Sequence, residues 1–414
     1  MRSVTFGSAW PTTTALSNES FATGPPGETS CSPLRILFLA LDVDLTANRG
    51  DSVHVRELAQ HLVRDGHEVR LITASRAPFP FGTHYLREDS TVGQVLQASR
   101  EARNWADVIY ERRMSPKVSY AASRLTSIPF AIEVNGVLEE EQAAQGKFRG
   151  GVRFAIKSWI RRGLFARASK VVTVSNGIRK SVLSTYKIPP DRVEVVPNGA
   201  NTSQFYPRNR AETRRDLNLP PEDFIVCFVG YMIQWQGIET LLDAAKSLDG
   251  RIPRLKVLLI GDGPDLAKFK AQATHPATQG LFQFMGEMPY EDVPKMVSAS
   301  DVCVAPFDGT RKASPIKVFE YLACAKPVIS SDVDEIGRFL RDTRSGIVIE
   351  ANNAIALAEA IDWVYNHPNE AADLARRGRE AVEQSGSWEV TAHRLAAVLQ
   401  GVRRDLRRRS PSFR

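Results

Sequence analysis

The sequence predicts an α/β protein of two doubly wound parallel sheets, one in each half of the chain. Apolar runs of the kind buried in parallel sheets alternate with amphipathic helical patterns from residue 35 onward. The alternation restarts near residue 224, after a stretch at 200–222 in which Pro207, Pro220 and Pro221 mark a hinge region. At 414 residues the chain exceeds one ordinary core and suits two domains.

In the first half, residues 35–41 (RILFLAL) read as the opening strand. A loop with Thr46, Asn48, Gly50 and Asp51 leads to a helix over 53–64, which Gly66 stops. Further strands are expected at 68–73, 108–111, 130–135, 170–174 and 192–197, with helices between them, the last at 177–185. Asn198-Gly199 reads as a tight-turn dipeptide. In the second half strands are expected at 224–229, 255–260, 281–284, 302–305, 327–330 and 347–349. Helices are expected at 238–248, 266–273, 290–298, 354–365 and 370–384, with one opening at Ser314 and a last one from Trp388. The chain thus divides into a Ser/Thr/Gly/Pro-rich leader over 1–33 expected to be disordered, domains over 34–205 and 206–387, and a helix with a basic tail over 388–414.

Composition narrows the class. Apolar content of 43% and charged content of 24% are globular values. No run approaches the roughly 18–20 apolar residues of a membrane span, and the first 33 residues lack the apolar stretch of a secretory signal. The four cysteines, at 31, 227, 303 and 324, have no metal-like spacing and read as free thiols of a reducing cytoplasm, three of them inside buried patterns. The net charge of +7 is uneven: residues 147–170 hold eight Lys or Arg and no acid, interleaved with Phe148, Phe154, Trp159, Leu164 and Phe165. Arg153, Lys157 and Arg161 recur every fourth residue and stripe one side of a helix, so the segment is either a solvated face or a surface for anionic lipid at the inner side of the cell membrane. No nucleic-acid module appears, and no nucleic-acid partner is expected.

The densest signal is residues 314–331, SPIKVFEYLACAKPVISS. Ser314 suits a helix cap and Pro315 a first turn, where a missing N–H costs nothing. Val318, Phe319, Leu322 and Ala323 make the apolar stripe, while Lys317 and Glu320 lie three apart on one side. A helix start carries free N–H groups and a positive dipole end, so with Lys317 and the amides near Pro315 and Ile316 it suits phosphate, and a carboxylate at Glu320 suits a sugar diol. That pairing points to a nucleotide-sugar.

The same segment resembles the donor-site helix of the retaining family 4, group 1 glycosyltransferases of GT-B fold, in the subgroup reading S-P-x-K-x-x-E-Y. The resemblance runs in order over about residues 34–400 and implies two Rossmann-like domains facing a cleft, with a terminal helix crossing back to the first. It implies transfer of a sugar from a UDP- or GDP-sugar to a glycan or lipid-linked acceptor, in polysaccharide biosynthesis, with no cofactor and no metal. Asp42/Asp44 and Asp332/Asp334 resemble metal-binding D-x-D pairs and are expected to be loop acids. Gly50 to Leu58 (GDSVHVREL) resembles the family's first-strand loop, with Gly50 letting backbone near the donor diphosphate and His54 supporting the loop or facing the acceptor. Asn135, in FAIEVNGVLEEE, stands where many members carry a histidine near the transferred sugar; it cannot act as a base but can bond a hydroxyl. Glu139, Glu140 and Glu141 are either a solvated helix start or acceptor contacts.

Gly230 opens the family's glycine-rich loop, but Tyr231 and Gln236 stand where many members place the arginine and lysine that clamp the diphosphate, a gap that Lys317, Arg311 and Lys312 could fill. Lys312 also stands eight residues before Glu320, where an acid is usual outside this subgroup. Gly261, Asp262 and Gly263 are either a plain strand-to-helix turn or an approach to the nucleotide. The expected catalytic set is Asn135, Lys317 and Glu320, with Gly50, Gly230, Gln236, Gly261, Ser314, Pro315 and Ile316 on the donor and His54, Glu139 and Glu140 on the acceptor side. A non-catalytic nucleotide-sugar binder and a two-domain epimerase are the alternatives.

Overall fold

The computed structural model describes residues 32–74, 82–85, 90–140, 152–274, 280–312 and 314–409. The first sheet has seven strands in the order β3-β2-β1-β4-β5-β6-β7, comprising β1 (Arg35–Ala40), β2 (Glu68–Thr73), β3 (Gly82–Tyr85), β4 (Val108–Arg112), β5 (Phe130–Val134), β6 (Lys170–Thr173) and β7 (Val193–Val195). The second has six, in the order β10-β9-β8-β11-β12-β13, comprising β8 (Phe224–Val229), β9 (Leu255–Ile260), β10 (Phe282–Gly286), β11 (Val302–Ala305), β12 (Val328–Ser331) and β13 (Ile347–Ile349). All pairings are parallel; β1 sets Ile36 against Val69 on one side and Val108 on the other. Each sheet reverses its winding beside its first strand, and that switch point is where open α/β sheets bind ligands.

The central strands β1, β8 and β11 form on apolar runs, because helices cover both faces. Ile36 to Ala40 and Val257 to Leu259 are all but fully buried. The helix Trp388–Arg409 returns to the first domain, where Trp388, Leu395, Leu399 and Val402 complete the core around Ile36, Phe38, Leu58 and Leu62. The chain crosses there on paired backbones: Ala200 N–H donates to Gly386 O (2.9 Å) and Trp388 N–H to Ala200 O (3.1 Å). A side chain at Gly199 would strike the backbone of Ser387, so Gly199 serves this crossing rather than the tight turn expected of it.

The sequence reading missed one strand and two α-helices. Edge strand β3 (GTHY) has no apolar run to announce it. The helix Arg210–Asp216 lies inside the expected hinge, anchored by buried Arg214. The helix Asp334–Asp342 begins at an acid read as loop. Asp334 reaches across the domains, accepting from Ser175 Oγ (2.5 Å) and Gly177 N–H (2.9 Å), while Glu335 accepts from Asn176 N–H (3.2 Å). These carboxylates sit at the amide-rich start of the helix Asn176–Tyr186, the end where negative charge is favoured. Asp44 instead closes its own loop, accepting from Thr46 N–H and Oγ1. Cys227, Cys303 and Cys324 are buried free thiols, as expected.

Candidate active site

The carboxyl ends of both sheets meet at one cleft of about 720 Å³. From the first domain, Arg49 and Gly50 follow β1, Arg112 ends β4 and Asn135 follows β5; from the second, Gly230 follows β8, Gly261 follows β9 and Phe307 follows β11. Two of these glycines, Gly230 and Gly261, stand where a side chain has no room. At Gly230 (φ +151°) a Cβ would collide with Lys317 Nζ, and at Gly261 (φ +130°) with the carbonyl of Gly230.

The helix Ile316–Ala323 buries Val318, Phe319 and Leu322 in the second core, which leaves Lys317 and Glu320 facing the cleft. Lys317 Nζ lies over the Phe228 ring (4.0 Å to its centroid) and donates to Gln236 Oε1 at 2.6 Å. Desolvation lowers its ammonium to about 7, against the pull of Glu320. Glu320 is 5% exposed and accepts from the Tyr290 hydroxyl at 2.6 Å. Burial raises its carboxyl to about 7 although the Tyr290 bond opposes the rise. Ser314 does not cap this helix. Pro315, at ψ 113°, is the capping position, and Ser314 Oγ instead accepts from Asn198 N–H of the first domain (3.1 Å).

The opposite wall is a hydrogen-bonded cluster on Glu133. His54 Nε2 lies 2.8 Å from Glu133 Oε1, Tyr110 donates its hydroxyl to Oε2, and Asn135 Nδ2 donates to Oε1 at 2.9 Å. Burial alone would raise the Glu133 carboxyl, but His54, Arg112 and the hydrogen bonds outweigh it and hold it at about 2. His54 Nδ1 faces Asn198 Oδ1 at 2.7 Å, and Asn198 Nδ2 donates to Ser314 O at 2.7 Å, so one chain of bonds joins the two walls.

Eleven of the thirteen expected site residues therefore line one cleft, namely all except Glu139 and Glu140. Glu139 is taken by Arg161, Ser158 Oγ (3.1 Å) and the Tyr186 hydroxyl (3.0 Å), so it ties helices together and has no place on the acceptor side. Glu140 pairs with Lys312 (3.1 Å), which also reaches Ser181 Oγ (2.5 Å); Lys312 thus bridges the domains and does not replace a diphosphate clamp. His54 lines the cleft with both ring nitrogens committed, a support and not an acceptor contact. Gly50 starts its helix, three residues earlier than expected, and aims that helix end at the cleft. Gln236 is buried and holds Lys317. Glu141 lies outside the described residues. Sequence reasoning missed Arg49, Arg112, Glu133, Asn198 and Tyr290, each of which reaches the site from a different element.

Comparison with known proteins agrees with this geometry. The family model "Glycosyl transferases group 1" matches residues 209–381, and "Glycosyltransferase Family 4" matches residues 49–204. The chain is 29% identical over 303 residues to alpha-maltose-1-phosphate synthase of Mycolicibacterium smegmatis, covering 68% of this chain and 76% of that protein. It is 27% identical over 237 residues to D-inositol 3-phosphate glycosyltransferase of Rhodococcus jostii, covering 56% of this chain and 52% of that one. The fold matches a glycosyltransferase from Rickettsia africae (TM-score 0.74, 19% identity, 90% and 99% of the two chains). It also matches Anabaena HepE in complex with UDP-glucose (TM-score 0.72, 18% identity, 89% and 100% of the two chains).

Proposed function

The chain belongs to the family 4, group 1 glycosyltransferases of GT-B fold, and we propose that it is a retaining enzyme that moves a hexose from a UDP- or GDP-sugar to a glycan or lipid-linked acceptor. One observation carries this reading: Lys317 Nζ fills the notch above Gly230 while Glu320 waits one turn further along the same helix. Glu320 holds the two ribose hydroxyls. Lys317, the amides at Ile316 and Lys317, and the backbone at Gly230 face the diphosphate. Negative charge grows on that diphosphate as the glycosidic bond breaks, so these groups bind the transition state more tightly than the ground state. The leaving phosphate takes the acceptor's proton on the same face, which is why no side-chain base is required. Arg49, paired with Asp51 (2.8 Å), and Arg112, 3.5 Å from Glu133, line the first domain's side of the cleft.

Incubation with radiolabelled UDP- and GDP-hexoses and a membrane extract is expected to yield labelled product only when acceptor is present. A donor altered without acceptor, or bound without turnover, would overturn the reading.

We propose further that the helix Val152–Phe165 rests on an anionic membrane surface. Its outer side exposes Trp159 (73%), Ile156 (51%) and Ile160 (42%) next to exposed Lys157. The cationic stripe is shorter than the sequence suggested, because Arg161 turns inward to Glu139; residues 147–151 lie outside the described residues. Among the described residues no helix is long and apolar enough to cross a membrane. Trp159→Glu with Lys157→Glu is expected to cut co-sedimentation with phosphatidylglycerol vesicles by at least about tenfold. Unchanged sedimentation would leave the helix an ordinary surface.

A further inference from the structure

Asn135 has one hydrogen-bonding group in use and one idle. Its Nδ2 donates to Glu133 Oε1 (2.9 Å), whereas its Oδ1 is buried with no hydrogen-bond partner among the described residues. A buried acceptor left unpaired is costly, and such groups persist where a ligand completes them. Asn135 lines the cleft, so its side chain, with this oxygen, forms part of that wall of the candidate site.

The sense of the amide is fixed by chemistry. Glu133 is ringed by donors: His54 Nε2, the Tyr110 hydroxyl and Asn135 Nδ2 all point at its two oxygens, with Arg112 Nε 3.5 Å away. An ionised carboxylate can only accept. Rotating the Asn135 amide by half a turn would set Oδ1 against a carboxylate oxygen and lose the bond. The Asn135 oxygen is therefore held as an acceptor, and the second Nδ2 hydrogen is the one donor left to the amide. A histidine at this position could offer a donor instead.

Building on the donor reading above, we propose that Glu133 is a positioning residue that locks Asn135 as an acceptor for one hydroxyl of the transferred hexose. Asn135 thereby becomes a specificity-determining residue. A hexose carrying a hydroxyl at the matching carbon satisfies Oδ1. A deoxy analogue leaves it buried and unpaired, and a methyl ether has no hydrogen to give.

The test measures kcat/KM with UDP- and GDP-hexoses and their monodeoxy analogues, and the affinity of UDP and GDP by calorimetry. The native enzyme should prefer one hydroxylated hexose to its deoxy analogue by at least about tenfold. Asn135→Ala should erase that preference. Glu133→Gln, whose amide both donates and accepts, should reduce it. Affinity for the bare nucleotide should stay unchanged in both, which also reports that each variant is folded. If Glu133→Gln does not fold, Asn135→Ala decides alone. A preference that survives Asn135→Ala, a Glu133→Gln enzyme with native preference, or an equal loss on parent and deoxy hexoses would overturn the proposal. Failure of the native protein to bind either nucleotide would instead sink the donor reading, and this proposal with it.

Discussion

Lys317→Met is expected to lower kcat by about 100- to 1,000-fold, and Glu320→Ala to raise the donor KM by about 10- to 100-fold. The two effects differ in kind because the contacts act at different times. The ribose hydroxyls are the same in the ground and transition states, so losing Glu320 weakens binding uniformly. The diphosphate gains charge only as the bond breaks, so losing Lys317 falls on the chemical step. The pH profile gives a second fingerprint. With Glu320 raised to about 7, kcat/KM should fall on the acid side as its carboxylate takes a proton and can no longer accept from both hydroxyls. With Lys317 lowered to about 7, it should also fall on the alkaline side as the ammonium loses its charge. The profile is therefore a bell with its maximum near 7. Glu320→Gln should remove the acid limb and Lys317→Arg the alkaline one. Native turnover in the Lys317→Met, Glu320→Ala double variant would remove the pocket from the mechanism.

The largest expected effect on stability is that of Arg214→Ala, a loss of about 3–5 kcal/mol. Arg214 is 2% exposed. Its Nε donates to Ala299 O (2.8 Å), its Nη1 to Pro221 O (2.8 Å) and Asp223 O (2.9 Å), and its Nη2 to Asp301 Oδ2 (2.6 Å). Truncation strands three carbonyls and weakens the pairing of a carboxylate that also accepts from Ile225 N–H at the start of the second sheet. At a slope of about 2 kcal/mol per molar, the urea midpoint should fall by about 2 M. Lysine has three donors on one nitrogen and cannot span the four acceptors, so Arg214→Lys should lie between the two. A shift of less than about 1 kcal/mol would mean that Arg210, which also contacts Asp301, takes over the load.

Legibility followed burial. Strands at 224–229, 255–260 and 302–305 have the bounds read from sequence, because each is an apolar run, broken only by Lys256, that is covered on both faces. The helix Asp334–Asp342 was not readable, since its opening acids serve a contact with the other domain rather than its own solvation. Lys317 and Glu320 were legible as one local pattern on one helix. Tyr290, Asn198 and Glu133 were not, because they meet only after separate elements assemble. Glu133 in particular reads as one more alternating residue of β5, yet it organises a whole wall of the cleft. Ser314 reads as a cap because Ser-Pro suits one, but a longer-range partner, Asn198, claims its hydroxyl. Glu139 and Glu140 looked like solvent-facing or acceptor carboxylates because their cations lie 22 and 172 residues away.

The return of Trp388–Arg409 to the first domain bears on how the protein is made. Its first strand emerges from the ribosome hundreds of residues before Leu395, Leu399 and Val402, the side chains that cover one flank of it. Until translation passes those positions, the amino-terminal half has every strand it needs but an uncovered apolar flank. Its second half, whose clusters draw on residues between 200 and 382, can finish first, so the order of completion runs against the order of synthesis.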